Sequence, residues 1–504
     1  MTVVTERSPS TCPFYAGGRW QASSSPDRLD TFNPATGEVI ARVPLCTPAE
    51  IDAAVTAAHE AFLSWRAVPV AVRARHLFRY RDLLDRHKEE LAHLVTLEHG
   101  KALDDARGSV QRGIEVVEFA CGMPTLMMGE SVENVAPGVD THSIRQPLGV
   151  SLGITPFNFP AMVPLWMLPM AIGCGNAFVL KPSEKVPQTA NRLVELLYEA
   201  GVPAGLVSVV HGSTAQVEQL IDLPLVRTVS IVGSSAAAAA VYARAAARGK
   251  RVQALGGAKN HMVVMPDADL HVTTEGIIGS AFGASGQRCM SGSVVVMVEP
   301  VADALIEKLK ARAAGLRMTG GETEGCELGP MVNRAQRDRA AGYIEIGLKE
   351  GAALVLDGRS ASGQPGFFLG ATIFDRVTPT MRIAQEEIFG PVLSIIRVQS
   401  LDEALALVNR SKVGNGAVMF TRDGGAARTF ASEVEAGMVG INVGVPAPMA
   451  FFPFAGWKGS FFGDLHAHGK DGVRFYTEQK VITSRFDRTP GDDPHRARRT
   501  ASVA

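Results

Sequence analysis

The 504-residue chain predicts two doubly wound α/β domains with a small extended arm, and three observations carry that reading. Short apolar strand-like runs alternate with helical stretches between residues 150 and 232, the pattern of a mostly parallel sheet covered by helices. A second alternating series starts near Met262-Val263-Val264 and continues through 293–298 and 392–398. The length exceeds what one ordinary core accommodates, so two or three domains are expected.

The elements follow in order. From 48 to 99, alanines, leucines and charges recur at helical spacing, with Ile51, Val55, Ala58 and Phe62 on one stripe. Residues 115–128 continue that style. Residues 134–148 contain Pro137-Gly138 and the alternating Thr141-His142-Ser143-Ile144-Arg145, and they read as a hairpin-like insertion that leaves the domain. Strands are expected at 150–154, 177–182, 206–210 and 226–232, with helices near 165–172 and 189–200. The last stretch, 487–504, is rich in Arg, Asp, Pro, Ser and Ala with one valine, and reads as a disordered tail.

Lysine plus arginine number 50 against 51 acids, a net charge of -1 that argues against a nucleic-acid or membrane-surface protein and points to a small-molecule partner. The N-terminal stretch has no apolar signal-like region, and no apolar run is long enough to span a bilayer, so a cytoplasmic protein is expected. The six cysteines are widely spaced without a CxxC pair, which fits reduced thiols and speaks against a metal framework.

Cys289 follows Phe282-Gly283-Ala284-Ser285-Gly286-Gln287-Arg288. Cationic groups and helix ends favour the thiolate over a thiol whose free pKa is about 8.5, and Arg288 is expected to supply part of that bias. On its own such a cysteine is more often a small buried hydrophobe. Its company decides otherwise: Thr155-Pro156-Phe157-Asn158-Phe159-Pro160, Lys181-Pro182-Ser183-Glu184, Gly201-Val202-Pro203-Ala204-Gly205, Val232-Gly233-Ser234, Gly286-Gln287-Arg288-Cys289 and Glu386-Glu387-Ile388-Phe389-Gly390-Pro391.

In this order and spacing the motifs resemble the aldehyde dehydrogenase superfamily over about residues 14–486. The resemblance implies the aldehyde dehydrogenase fold: 14–133 and 149–253 forming an NAD-binding domain, 254–445 a catalytic domain carrying Cys289, and 134–148 with 470–486 a β oligomerisation arm. It makes Cys289 the nucleophile. The amide of Asn158 and the backbone N–H of Cys289 would be the donors to a thiohemiacetal oxyanion. NAD contacts are implied for Thr155, Pro156, Phe157, Lys181, Ser183, Glu184, Gly233, Ser234, Glu387 and Phe389. A carboxylate at Glu184 would accept bonds from ribose hydroxyls and repel a 2′-phosphate, favouring NAD over NADP. Gly233-Ser234 opens an alanine-rich helix whose N-terminus could face the pyrophosphate.

Hydrolytic members of the superfamily activate water with the glutamate of Glu-Leu-Gly-Gly-Lys. Matching the lysine to Lys259 puts Leu255 at that position, and matching the glycine pair puts Ala254 there; residues 241–266 contain no acid before Asp267. A thioester on Cys289 would then await a stronger nucleophile than water, such as the thiol of coenzyme A. With Gly257-Ala258-Lys259-Asn260-His261 and 454–464, the chain resembles the CoA-acylating methylmalonate-semialdehyde dehydrogenase family, which also acts on malonate semialdehyde. In that likeness Arg112 and Arg288 bind the substrate carboxylate, and arginine's planar fork suits the task.

The implied partners are therefore a small semialdehyde, NAD and coenzyme A, in a homotetramer. Two other readings stay open: a hydrolytic semialdehyde dehydrogenase making a free acid, and a non-catalytic structural relative. His211 and His261 read as structural, since nothing in the sequence places either at the thiol.

Overall fold

The Val150–Ile154 strand lies in the middle of an eight-stranded sheet. In the computed structural model, which describes residues 9–486 except 364, the expected tail lies outside the described residues. Five parallel strands form the body of this sheet: Val207–Val209, Ala177–Lys181, Val150–Ile154, Val226–Val232 and Arg251–Leu255, side by side in that order. In chain order they run third, second, first, fourth, fifth, so the winding reverses between Val150–Ile154 and Val226–Val232. A crevice opens there beyond the carboxyl ends of the strands, the usual place for a ligand in such a sheet. The loop bearing Asn158 and the turn bearing Gly233 leave these two strands and flank it.

Local chemistry accounts for the covering helices. Thr47 and Glu50 form a reciprocal capping box that starts the Pro48–Trp65 helix, whose buried stripe contains Ile51, Val55, Ala58 and Phe62. The Met162–Gly173 helix is buried on every side and correspondingly carries no charge.

Seven strands build the second sheet, in the order Ala353–Leu356, Thr372–Asp375, Val392–Val398, Gly292–Val298, Asn260–Val264, Gly416–Phe420, Met438–Ile441. All neighbours are parallel except the first pair. Alternation along Asn260–Val264 serves both faces: Val263 enters one core, Met262 and Val264 the other.

A three-stranded arm joins Ser131–Ala136, Val139–Pro147 and Thr477–Arg485, the last pairing antiparallel from Thr477 opposite Pro147 to Arg485 opposite Val139. Just before the third strand of the arm, Gly469–Phe475 is a helix packed on the Met162–Gly173 helix, where Gly472 lets Met170 approach. One expectation needs correction. A domain boundary after residue 253 would cut the Arg251–Leu255 strand, which belongs to the first sheet. That sheet also takes an edge strand from far along the chain, Phe461–Gly463, antiparallel to Arg251–Leu255.

Candidate active site

Cys289 sits just before the Gly292–Val298 strand, at the end of an irregular loop. Ala284 and Ser285 adopt left-handed φ values of 49° and 56°, uncommon for residues with a Cβ. Specific bonds hold this turn. The Ala284 N–H donates to Asp105 Oδ2 at 2.9 Å, and Ser285 Oγ donates to the Gly329 carbonyl at 2.5 Å. Gly286, at φ +70°, lies so close to Gly390 that a Cβ would come within 2.2 Å of its carbonyl oxygen. The carbonyl of Cys289 accepts the side-chain amides of Asn260 at 2.8 Å and Asn415 at 3.1 Å. The backbone of Cys289 is thereby fixed to the Asn260–Val264 strand and to the residue just before the Gly416–Phe420 strand.

Asn158 is buried, and its Nδ2 donates to the carbonyl of Gln287 at 3.0 Å, two residues before Cys289. The expected oxyanion donor is thus seated against the nucleophile loop. Arg288 favours the Cys289 thiolate, as expected, together with the backbone N–H groups of Cys289 and Met290, but burial first and Glu387 second outweigh them and push the thiol up to about 12. Arg288 Nη2 lies 2.5 Å from Asp105 Oδ1, and its Nη1 donates to the Gly279 carbonyl.

A cavity of about 330 Å³ opens in front of the thiol, walled by Phe159, Trp166 and Phe454 with Arg112 and Arg288 at its polar side. Arg112 is half-exposed, with Nη1 3.0 Å from Glu115. Carboxylates of this cavity are all paired: Asp104 with Arg107, Asp105 with Arg288 and Glu115 with Arg112.

At the winding reversal a second cavity, of about 390 Å³, has Ile154, Ile231 and Val241 as apolar walls and Lys181, Glu184 and Arg244 as polar ones. Lys181 Nζ lies 3.5 Å from Glu184. Burial alone would raise the Glu184 carboxyl, but Lys181 and Lys185 bring it down to about 2, so it is a carboxylate at neutral pH. Ser183 Oγ accepts the Lys185 N–H, and the Thr155 N–H donates to the Lys181 carbonyl, tying together the ends of neighbouring strands. Pro156 continues that loop to Phe157, whose ring meets Phe389 edge-on at 5.6 Å. The Gly233 N–H donates to Leu255, and Ser234 caps the Ser235–Ala246 helix. Glu387 Oε1 accepts the Ala258 N–H at 2.9 Å. Among the expected cofactor residues, Lys181 and Glu184 line this second cavity, while the charge of Glu387 reaches Cys289.

The sequence signature of the aldehyde dehydrogenase family matches residues 20–482. The chain belongs to the aldehyde dehydrogenase family. Among relatives of this aldehyde dehydrogenase, malonate-semialdehyde dehydrogenase 2 of Geobacillus kaustophilus (strain HTA426) is 56% identical over 474 residues, covering 94% of this chain and 98% of that one. A crystal structure of methylmalonate-semialdehyde dehydrogenase from Oceanimonas doudoroffii superposes with a TM-score of 0.94 at 46% identity, covering 95% and 99% of the two chains. A protein described as a candidate methylmalonate-semialdehyde dehydrogenase from Sinorhizobium meliloti 1021, complexed with NAD, gives 0.95 at 45% identity, covering 97% and 100%.

In this aldehyde dehydrogenase, Ala254 and Leu255 close a buried strand between Val226–Val232 and Phe461–Gly463, so no carboxylate occupies either position matched to the hydrolytic glutamate. His211 bonds the Pro13 carbonyl, and His261 lines a separate cavity beside Arg410 and Lys412. Sequence reasoning missed Lys101, Asp105 and Asn415, which bind the active-site loops across separations of 57 to 183 residues. Asn260 was visible only as part of a motif.

Proposed function

We propose that the protein catalyses NAD-dependent, CoA-acylating oxidation of malonate semialdehyde, methylmalonate semialdehyde or both, with decarboxylation to acetyl-CoA or propionyl-CoA, CO2 and NADH. The observation that carries this reading is a thiol-bearing cavity lined by two arginines, whose lining carboxylates Asp104, Asp105 and Glu115 are each paired with an arginine and so poorly placed to activate water. The names of the relatives support the same substrates.

The residues fit a dinucleotide. The second cavity offers an apolar slot for a base and an ionised Glu184 for free ribose hydroxyls, while Glu387 and Phe389 stand at the end nearer the thiol. NAD+ supplies the hydride acceptor when bound there.

The Cys289 proton passes to solvent water in the cavity, and the sulfur adds to the aldehyde carbon, making a thiohemiacetal oxyanion. Asn158 exchanges its bond to the Gln287 carbonyl for one to that oxygen, with the Cys289 N–H as second donor. Oxidation leaves a malonyl-type thioester on Cys289. Its β-carboxylate, held by Arg112 and Arg288, departs as CO2, because the electron pair delocalises onto the thioester oxygen in the same oxyanion site. Protonation of that enolate gives an acetyl or propionyl thioester. The thiolate of coenzyme A then attacks, and Cys289 leaves as the thiolate, a ping-pong sequence.

The exposed apolar residues Val132, Val135 and Val481 on the arm support a homotetramer, which light scattering on the purified protein tests. Among the described residues no helix is long and apolar enough to cross a membrane, and we take the enzyme to be cytoplasmic. Intact-mass analysis after mixing enzyme, NAD+ and malonate semialdehyde without CoA tests the chemistry. An acetyl adduct mapping to Cys289 is expected, and an unmodified enzyme that has released free acid would refute the proposal. The two aldehydes differ by one methyl, worth only about 1–3 kcal/mol of discrimination, so their kcat/KM ratio assigns the preferred one.

A further inference from the structure

Lys101 is buried to 1% exposure, although its side chain is among the longest and most polar in the protein. It leaves the Lys88–His99 helix just after Gly100, whose left-handed φ of 90° ends that helix and where a Cβ would come within 2.9 Å of both Pro34 and Pro330. The chain direction at Lys101 is therefore fixed. An amine taken out of water needs compensating partners. Lys101 Nζ finds them on the oxyanion loop: it donates to the carbonyl of Asn158 at 2.6 Å and sits 4.2 Å from the centre of the Phe159 ring. Among the described residues no carboxylate pairs directly with it. Asn158 is thereby held at both ends, its carbonyl by Lys101 and its amide by Gln287 of the nucleophile loop. A peptide carbonyl fixed in space fixes ψ of its residue, and with it the direction in which the side chain leaves the backbone.

We infer that Lys101 is a positioning residue for the oxyanion site: its bond to the Asn158 carbonyl aims the Asn158 amide at the oxygen that becomes charged when Cys289 attacks. The inference rests on the role of Asn158 in the proposed function. Lys101 touches the Asn158 carbonyl and the Phe159 ring, while its amine also lies within electrostatic reach of Cys289, and the double-mutant cycle separates the aiming of Asn158 from that direct charge effect. When the amide swings from the Gln287 carbonyl to the substrate oxygen, the Lys101 bond keeps the backbone still.

A double-mutant cycle tests this by the pre-steady-state NADH burst with malonate semialdehyde. Lys101→Met should slow the burst about 10- to 100-fold, in line with misplacing one oxyanion donor, and leave the KM for NAD+ unchanged. In an Asn158→Ala background the same change should slow it less than twofold, because the group it aims is gone. An equal factor in both backgrounds, or an undiminished burst in Lys101→Met, overturns the inference. Lys101→Gln serves as second variant, and if neither variant folds, Lys101 is a stability element and the inference is likewise overturned. A wild type without any burst would instead overturn the proposed function itself.

Discussion

Asp105 and Arg288 are 183 residues apart in sequence and 2.5 Å apart in space, and the second oxygen of Asp105 accepts the N–H of Ala284 in the left-handed turn before the nucleophile. One carboxylate thus orients Arg288, the proposed substrate contact, and holds the left-handed turn that leads to Cys289. Asp105→Ala removes both bonds. We expect a tenfold or greater fall in burst rate and a loss of about 1–3 kcal/mol in denaturant unfolding, the range for leaving partly buried donors unpaired.

The arginines make a prediction that separates charge recognition from chemistry. Arg112→Lys and Arg288→Lys should each raise the KM for malonate semialdehyde by about 10- to 100-fold, as expected for losing a hydrogen bond to a charged group. Oxidation of propanal, which has no carboxylate, should change less than threefold. Equal losses on both aldehydes would place the arginines outside substrate binding.

Glu184 stays ionised well below neutral pH because Lys181 and Lys185 flank it, so it presents a fixed negative charge to the proposed ribose site. Glu184→Ser should raise kcat/KM for NADP+ by about tenfold and lower it for NAD+, as both preferences rest on that charge. Steady-state kinetics with each cofactor decide it.

The raised pKa of Cys289 sets the sign of a pH profile. With the thiol at about 12 in the free enzyme, the thiolate fraction rises tenfold for each pH unit across the neutral range. Iodoacetamide inactivation of the cofactor-free enzyme should therefore keep accelerating from pH 6 to 9 without a plateau. A plateau near pH 7 would mean that Arg288 biases the thiol more strongly than burial and Glu387 allow.

Much of this site was legible before any coordinates. The strands at 150–154, 226–232 and 392–398 fall where apolar runs end at glycine or polar turns, and the loops with Asn158 and Gly233 lie beside the winding reversal that alternation implies. The edge strand Phe461–Gly463 was not legible, because three residues carry no period and their partner, Arg251–Leu255, lies some two hundred residues earlier. Lys101 and Asp105 were hidden for a related reason. In sequence they are ordinary charges around the start of a helix, and only the tertiary fold turns them inward onto Asn158 and Arg288. The adjacency of Arg288 to Cys289 correctly pointed to thiolate stabilisation, but the burial and the Glu387 charge that outweigh it arise only in the tertiary fold.

The central claim is that Cys289 passes an acyl group to a thiol and not to water. NADH release from malonate semialdehyde and NAD+, followed with and without CoA, tests it most directly. The account predicts one NADH per active site and then near arrest without CoA, and continuous turnover yielding acetyl-CoA once CoA is added. Sustained NADH production without CoA, with a free acid as product, would contradict it.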